Sequence, residues 1–232
     1  MNFYEEESVS LYLSNLEALE DIITEKQHIK LFRHPLLGLV LVINGEIQHI
    51  EKFQCPYHEI LVHLPISIIE NPQNALIIGG GSLFAAYEIL KYPSIKTVTL
   101  CDHDGNVLKI MEKYYSHAKY VRSDLRFNFV ECDGIQFIKQ CQDTYDLIIN
   151  DCFNLLNISI TKSFPIYLKL KELLTPSGLC SDIIYRHIFD GNLTIRSIHE
   201  IKKYSDVVLT PIGNGPGLYI SILSLKTAIS LL

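Results

Sequence analysis

Four short apolar runs in this sequence each stop at residues able to do chemistry. Ala75-Leu76-Ile77-Ile78 stops at Gly79-Gly80-Gly81, and Thr97-Val98-Thr99-Leu100-Cys101 stops at Asp102. Phe127-Asn128-Phe129-Val130-Glu131 leads into Asp133-Gly134, and Tyr145-Asp146-Leu147-Ile148-Ile149-Asn150 stops at Asp151. A glycine turn lets backbone approach a ligand closely and opens a helix N-terminus towards it. A carboxylate about twenty residues further on can accept both ribose hydroxyl protons. Asp133-Gly134 is then placed to recognise an adenine edge, and Asp151 supplies an acid at the fourth strand end. An aspartate at a strand end also serves as a helix cap, so the inference of a nucleoside site rests on the set and not on any one member.

Residues at such positions act together only if the strands lie side by side. Helical patterns over 84–91, 107–115, 135–140 and 166–174 alternate with the four runs, and Pro176-Ser177-Gly178 marks a turn into Leu179-Cys180. Alternation of this kind predicts a doubly wound, mostly parallel α/β sheet, whose ligands bind at the carboxyl ends of the strands near the point where strand order reverses. The front of the chain reads differently. Gly38-Leu39-Val40-Leu41-Val42-Ile43 and Glu46-Ile47-Gln48-His49-Ile50 flank Asn44-Gly45, a strong short-range hairpin signal. A small antiparallel β domain with a connecting helix over 57–69 is expected for residues 1–70, and the nucleoside-binding domain for 71–232.

Composition excludes other classes. At 232 residues and 48% hydrophobic content, the chain can bury one large core, or one core with a small satellite. A net charge of −6 with scattered Lys and Arg leaves no basic footprint for nucleic acid. Met1-Asn2-Phe3-Tyr4 runs into Glu5-Glu6-Glu7, the wrong charge for a secretory leader, so a cytoplasmic location is expected. No apolar run reaches the roughly 20 residues of a membrane span, and the tail over 218–232, interrupted by Lys226, is expected to be a last strand and a packed end. The six cysteines form no C-x-x-C pair and read as reduced core residues. His58 and His63 are one residue too far apart for the helical zinc motif, so no metal is expected.

Tyr57-His58-Glu59 followed by an apolar helix, Asn71-Pro72, Leu76-Ile77-Ile78-Gly79-Gly80-Gly81 and Leu90-Lys91-Tyr92-Pro93-Ser94-Ile95 resemble the spermidine synthase (polyamine aminopropyltransferase) family. The resemblance extends back through residues 38–48 and forward through Asp133-Gly134 to Pro176-Ser177-Gly178-Leu179. It implies a Rossmann-like sheet of the AdoMet-dependent methyltransferase type carrying a small N-terminal antiparallel β domain, in a homodimer or larger oligomer. It also implies aminopropyl transfer from decarboxylated S-adenosylmethionine to a small amine such as putrescine, with methylthioadenosine released. Gln27, Gly79, Gly80, Gly81, Ser82, Asp102, Asp133 and Gly134 would then line the donor site. Tyr57, His58 and Asn154 would line the amine site, and Asp151 would be the general base.

The chain departs from that family at telling places. The family's Gly-Gly-Gly-Asp-Gly-Gly is here Gly79-Gly80-Gly81-Ser82-Leu83-Phe84, without the aspartate that would bind the aminopropyl ammonium. Its Asp-x-x-Asp-Pro is Asp151-Cys152-Phe153-Asn154-Leu155, with an amide in place of the second acid. A carboxylate lost at Ser82 also removes a charge that would repel the carboxylate of intact S-adenosylmethionine. A transferase using intact S-adenosylmethionine, moving a methyl or aminocarboxypropyl group, therefore stays open, as does a non-catalytic module of the same fold.

Overall fold

The computed structural model describes residues 2–6, 9–152, 160–185, 206–212 and 219–225. At the front, β1 (Asn2–Glu6) and β2 (Val9–Tyr12) form a two-stranded ribbon, followed by an antiparallel sheet of β3 (Glu17–Ile23), β4 (His28–His34), β5 (Gly38–Ile43) and β6 (Glu46–Ile50). The β5–β6 hairpin turns where expected. Asn44 and Gly45 both take positive φ, 52° and 87°, which matches the twist of the flanking strands. Strand β3 was not foreseen. Its sequence is acidic, as suits an edge, and two of its carboxylates pair with β4, Asp21 with Lys30 at 3.3 Å and Glu17 with Arg33 at 3.6 Å.

The following elements are α1 (Gln54–Ile68), β7 (Asn74–Gly79), α2 (Phe84–Leu90), β8 (Thr97–Asp102), α3 (Gly105–Tyr114), α4 (Ser116–Ser123) and β9 (Phe127–Glu131). Then come α5 (Gly134–Gln140), β10 (Tyr145–Asp151), α6 (Ile160–Glu172), β11 (Leu174–Tyr185), β12 (Asp206–Ile212) and β13 (Tyr219–Leu225). The large sheet has the order β12-β13-β11-β10-β7-β8-β9. Its run from β11 to β9 is parallel, and β13 and β12 are antiparallel additions. Strand order reverses between β7 and β10, where Asp151 lies in register with Gly79.

The central strands β7 and β10 are covered on both faces, which is why they read as continuous apolar runs. Leu76, Ile78 and Ile148 pack under Ile138, Ile166 and Leu170. On the other face Ala75, Ile77, Leu147 and Ile149 share one buried cluster with Leu61 and Val62 of α1, and with Ile29, Leu31, Leu39 and Leu41 of the front sheet. Each large side chain buried there stabilises the fold by about 1.5–3 kcal/mol, so the front sheet is locked to the large one through α1. Helix α4 escaped the sequence reading because only Ala118 and Val121 of its eight residues are buried. The turn expected at 176–178 is a bulge within β11, where the partners step from Tyr145↔Leu174 to Leu147↔Leu179. Among the described residues no helix is long and apolar enough to cross a membrane.

Candidate active site

The glycine turn is built by close approach of backbone to its neighbours. Gly79 and Gly80 take φ of +77° and +71°, and a Cβ on Gly80 would stand 2.9 Å from Ile77 Cγ2 and 3.2 Å from Asp151 Oδ2. A side chain at Gly81 would reach within 2.9 Å of Asp102 Oδ2. The turn closes with Leu83 N–H donating to the Gly80 carbonyl at 2.8 Å. Leu83 itself sits at φ 66°, a conformation that costs a non-glycine residue about 1–2 kcal/mol, offset by complete burial of its side chain. The glycine of the resembling family is thus replaced at a left-handed position by a residue held there through packing. Phe84 also points inward, stacked on His117 with centroids 3.7 Å apart and on His49 at 4.7 Å. Ser82 is half-buried, and its carbonyl accepts from His117 Nε2 at 3.1 Å.

Asp102 holds the next strand end to this turn. Its Oδ2 accepts from Gly81 N–H at 3.1 Å and its Oδ1 from Asp104 N–H at 3.0 Å, and burial pushes its pKa up. Asp104, which the sequence reading passed over, is buried and caps α3 through Asn106 N–H. Burial opposes its charge, yet Asn106 and Thr24, with Gln27 beside them, hold its pKa below the usual carboxylate value. The Asp-Gly pair ahead of the apolar run in α3 was the cap signal that could have found it.

Thr24 Oγ1 donates to Asp104 Oδ2 at 2.8 Å, and Lys26 Nζ donates to Glu131 at 2.8 Å and to the His103 carbonyl. These bonds pin the β3–β4 turn over the ends of β8 and β9. Gln27 is carried with it, 7% exposed, and its Nε2 has no hydrogen-bond partner among the described residues. An unpaired buried amide costs about 1–3 kcal/mol, and it leaves a donor open to a ligand. Asp133, in contrast, is exposed and caps α5 by accepting from Gln136 N–H at 2.8 Å. Cys132 N–H donates to the Asp102 carbonyl at 3.0 Å, so Asp133-Gly134 shares the same rim.

Asp151 ends β10 at the reversal of strand order. Tyr57 OH donates to its Oδ1 at 2.6 Å. His58 Nε2 stands 4.0 Å from its Oδ2, with side-chain exposures of 6% for the histidine and 11% for the aspartate. Burial drives the Asp151 pKa up to about 7 against the lowering effect of Tyr57, and burial drives His58 down to about 4. Asn150 Nδ2 donates to Asp182 at 2.8 Å and ties the end of β10 to β11, and Tyr167 OH of α6 donates to the same carboxylate at 2.8 Å. Asn154 lies outside the described residues. Gln27, the glycine turn, Ser82, Asp102, Asp133-Gly134, Tyr57, His58 and Asp151 therefore gather at one end of the sheet. A carboxylate near pKa 7 there can take a proton at neutral pH, and the unpaired amide with Asp102 offers a polar cradle that fits a nucleoside. Among the described residues no group of three His, Cys, Asp or Glu could hold a metal ion.

The chain is 39% identical over 129 residues to putrescine N-methyltransferase 2 of Nicotiana attenuata, covering 55% of this chain and 35% of that protein. It is 34% identical over 130 residues to a polyamine aminopropyltransferase of Pectobacterium carotovorum, covering 56% of this chain and 45% of that protein. It thus spans less than half the length of these curated relatives. The structure is similar to crystallised spermidine synthases, that of Thermotoga maritima with a TM-score of 0.83 at 26% identity over 97% of this chain and 78% of that one. A spermidine synthase in complex with the transition state analogue AdoDATO gives 0.84 at 26% identity over 97% and 79%. The spermine/spermidine synthase domain matches residues 54–221, and the chain belongs to that family.

Proposed function

We propose that this chain is an alkyltransferase that moves an aminopropyl group from decarboxylated S-adenosylmethionine to a small amine such as putrescine, releasing methylthioadenosine. The observation that carries the proposal is Asp151, a buried carboxylate with a pKa of about 7 beside the glycine turn at the reversal of strand order. When bound, the donor supplies a carbon activated by a sulfonium, and the chain supplies the rest. Asp102 and the Gln27 amide would hold the ribose side, Asp133-Gly134 the adenine, and Gly79, Gly80, Gly81 and Ser82 would pass beneath the sulfur side.

The nucleophile needs a lone pair. At pH 7 an alkylammonium with a lysine-like pKa of about 10.4 loses its proton at a cost of roughly 4.6 kcal/mol. Formation of the new carbon–nitrogen bond leaves the nitrogen as a dialkylammonium, and Asp151 takes one of its protons. An ordinary aspartate near 3.9 would be about 3 pK units, or roughly 4 kcal/mol, weaker as a base. Burial of Asp151 therefore tunes it to the working pH, and Tyr57 limits how far.

A second reading is favoured by the donor turn. Ser82 offers no carboxylate to an aminopropyl ammonium, Leu83 and Phe84 fill space that glycine would leave, and relatives named as putrescine N-methyltransferases are among the matches. Methyl transfer from intact S-adenosylmethionine uses the same base and the same nucleoside cradle. Calorimetry with S-adenosylmethionine, its decarboxylated form and methylthioadenosine, followed by turnover with putrescine, separates the two. Asp151→Asn should lower turnover by about two to four orders of magnitude while sparing nucleoside affinity. A protein that binds none of the three nucleosides is the interaction module instead. The proposal extends to a cytoplasmic homodimer or larger oligomer, tested by sedimentation, and to a division near residue 70 in which the front part contributes Gln27, Tyr57 and His58.

A further inference from the structure

The tautomer of His58 is fixed by its surroundings. Its Nδ1 lies 2.8 Å from the Gln54 carbonyl, which can only accept, so Nδ1 carries the proton. A neutral imidazole has one N–H, and Nε2 therefore presents a lone pair towards Asp151 Oδ2 at 4.0 Å. Phe84, with its centroid 5.2 Å from that of His58, and Tyr57, edge-on at 4.6 Å, brace the ring. Asp151 Oδ1 is engaged by Tyr57. That leaves a pair of acceptors, Oδ2 and Nε2, spaced so that one nitrogen at about 2.9 Å from each can donate to both.

Such a pair discriminates by counting N–H groups. A neutral primary amine has two, which fill both acceptors and leave its lone pair free for the electrophilic carbon. A secondary amine has one and leaves an acceptor unpaired against an alkyl group. We propose that His58 is a specificity-determining residue, whose Nε2 acts with Asp151 Oδ2 to select primary amines and to end the reaction after one transfer at a given nitrogen. This rests on the assignment of Asp151 as the base. In the step, the amine lone pair forms the carbon–nitrogen bond, and the carbon–sulfur bond breaks with its electron pair going to sulfur. The N–H on Oδ2 passes its proton to Asp151, and the N–H on Nε2 stays. The product is a neutral secondary amine that no longer satisfies both acceptors.

The experiment compares kcat/KM for putrescine with that for N,N′-dimethylputrescine, in which both nitrogens are secondary, using each sulfonium donor. Wild type should favour putrescine by about 10- to 100-fold, the usual penalty for an unpaired buried acceptor. His58→Phe and His58→Leu, which lack the acceptor, should bring the ratio to within about threefold, chiefly by losing rate on putrescine. His58→Gln, which restores an acceptor oxygen, should recover the preference. Equal rates on both amines in wild type, or an unchanged preference in folded His58→Phe or His58→Leu, overturns the inference while leaving the alkyltransferase intact. Absence of turnover by wild type with both donors removes the proposed function and this inference with it.

Discussion

The Tyr57 hydroxyl donates a 2.6 Å hydrogen bond to Asp151 Oδ1 across 94 residues of sequence, joining the first turns of α1 to the end of β10. The bond opposes the burial that raises the aspartate's pKa, so a residue of the front half of the chain tunes a carboxylate in the back half.

Tyr57→Phe removes a donor that favours the ionised carboxylate, so the Asp151 pKa should rise. In the proposed role Asp151 works ionised, so the rate should climb with pH through about 7 in the wild type. In the variant that limb should move to higher pH by about one to two units, the worth of a hydrogen bond to a charged group. A pH profile of kcat/KM checks it, and an unmoved limb would mean that Tyr57 only fills space.

Stability should respond to Asp151 in the opposite sense to activity. Its folded pKa lies near 7, above the 3.8 of an unperturbed aspartate, so the folded state binds the proton more tightly. Wild-type stability then falls as pH rises from about 4 to 7, by up to roughly 4 kcal/mol. Asp151→Asn lacks that penalty and should melt higher than wild type at pH 8 but not at pH 4. Equal melting temperatures at pH 8 would contradict the raised pKa.

Gln27→Leu should separate ligand binding from folding. The amide nitrogen makes no direct hydrogen bond among the described residues but helps to lower the Asp104 pKa, so the melting temperature should fall by no more than a few degrees, while affinity for methylthioadenosine should fall by about 1–3 kcal/mol. Calorimetry and thermal denaturation on the same sample decide it; loss of stability with affinity unchanged would place Gln27 in the scaffold alone.

Ser82→Asp should shift donor choice. A carboxylate at this half-buried position of the turn attracts an aminopropyl ammonium and repels the carboxylate of intact S-adenosylmethionine. The affinity ratio of decarboxylated to intact donor should increase about 10- to 100-fold. A ratio that stays constant in competition binding would show that the turn does not face the donor's side chain.

The sequence by itself determined the alternation of strands and helices, the Asn44-Gly45 hairpin, and the placing of Gly79-Gly80-Gly81, Asp102, Asp133 and Asp151 at strand ends. These are local matters: periodicity and turn chemistry operate within a few residues, so they can be read along the chain. It also showed Ser82 and Leu83 in place of acid and glycine. Only the tertiary structure decided what those residues do to one another. Asp133 became an exposed helix cap, whereas Asp102 was buried against the glycine turn. Thr24 and Asp104, unremarkable in sequence, met across 80 residues to bring Gln27 to the site. The pKa of Asp151 and the lone pair of His58 came from packing of α1 against the end of β10, because desolvation and long-range hydrogen bonds depend on which groups are enclosed together. No pattern along the chain encodes that enclosure directly.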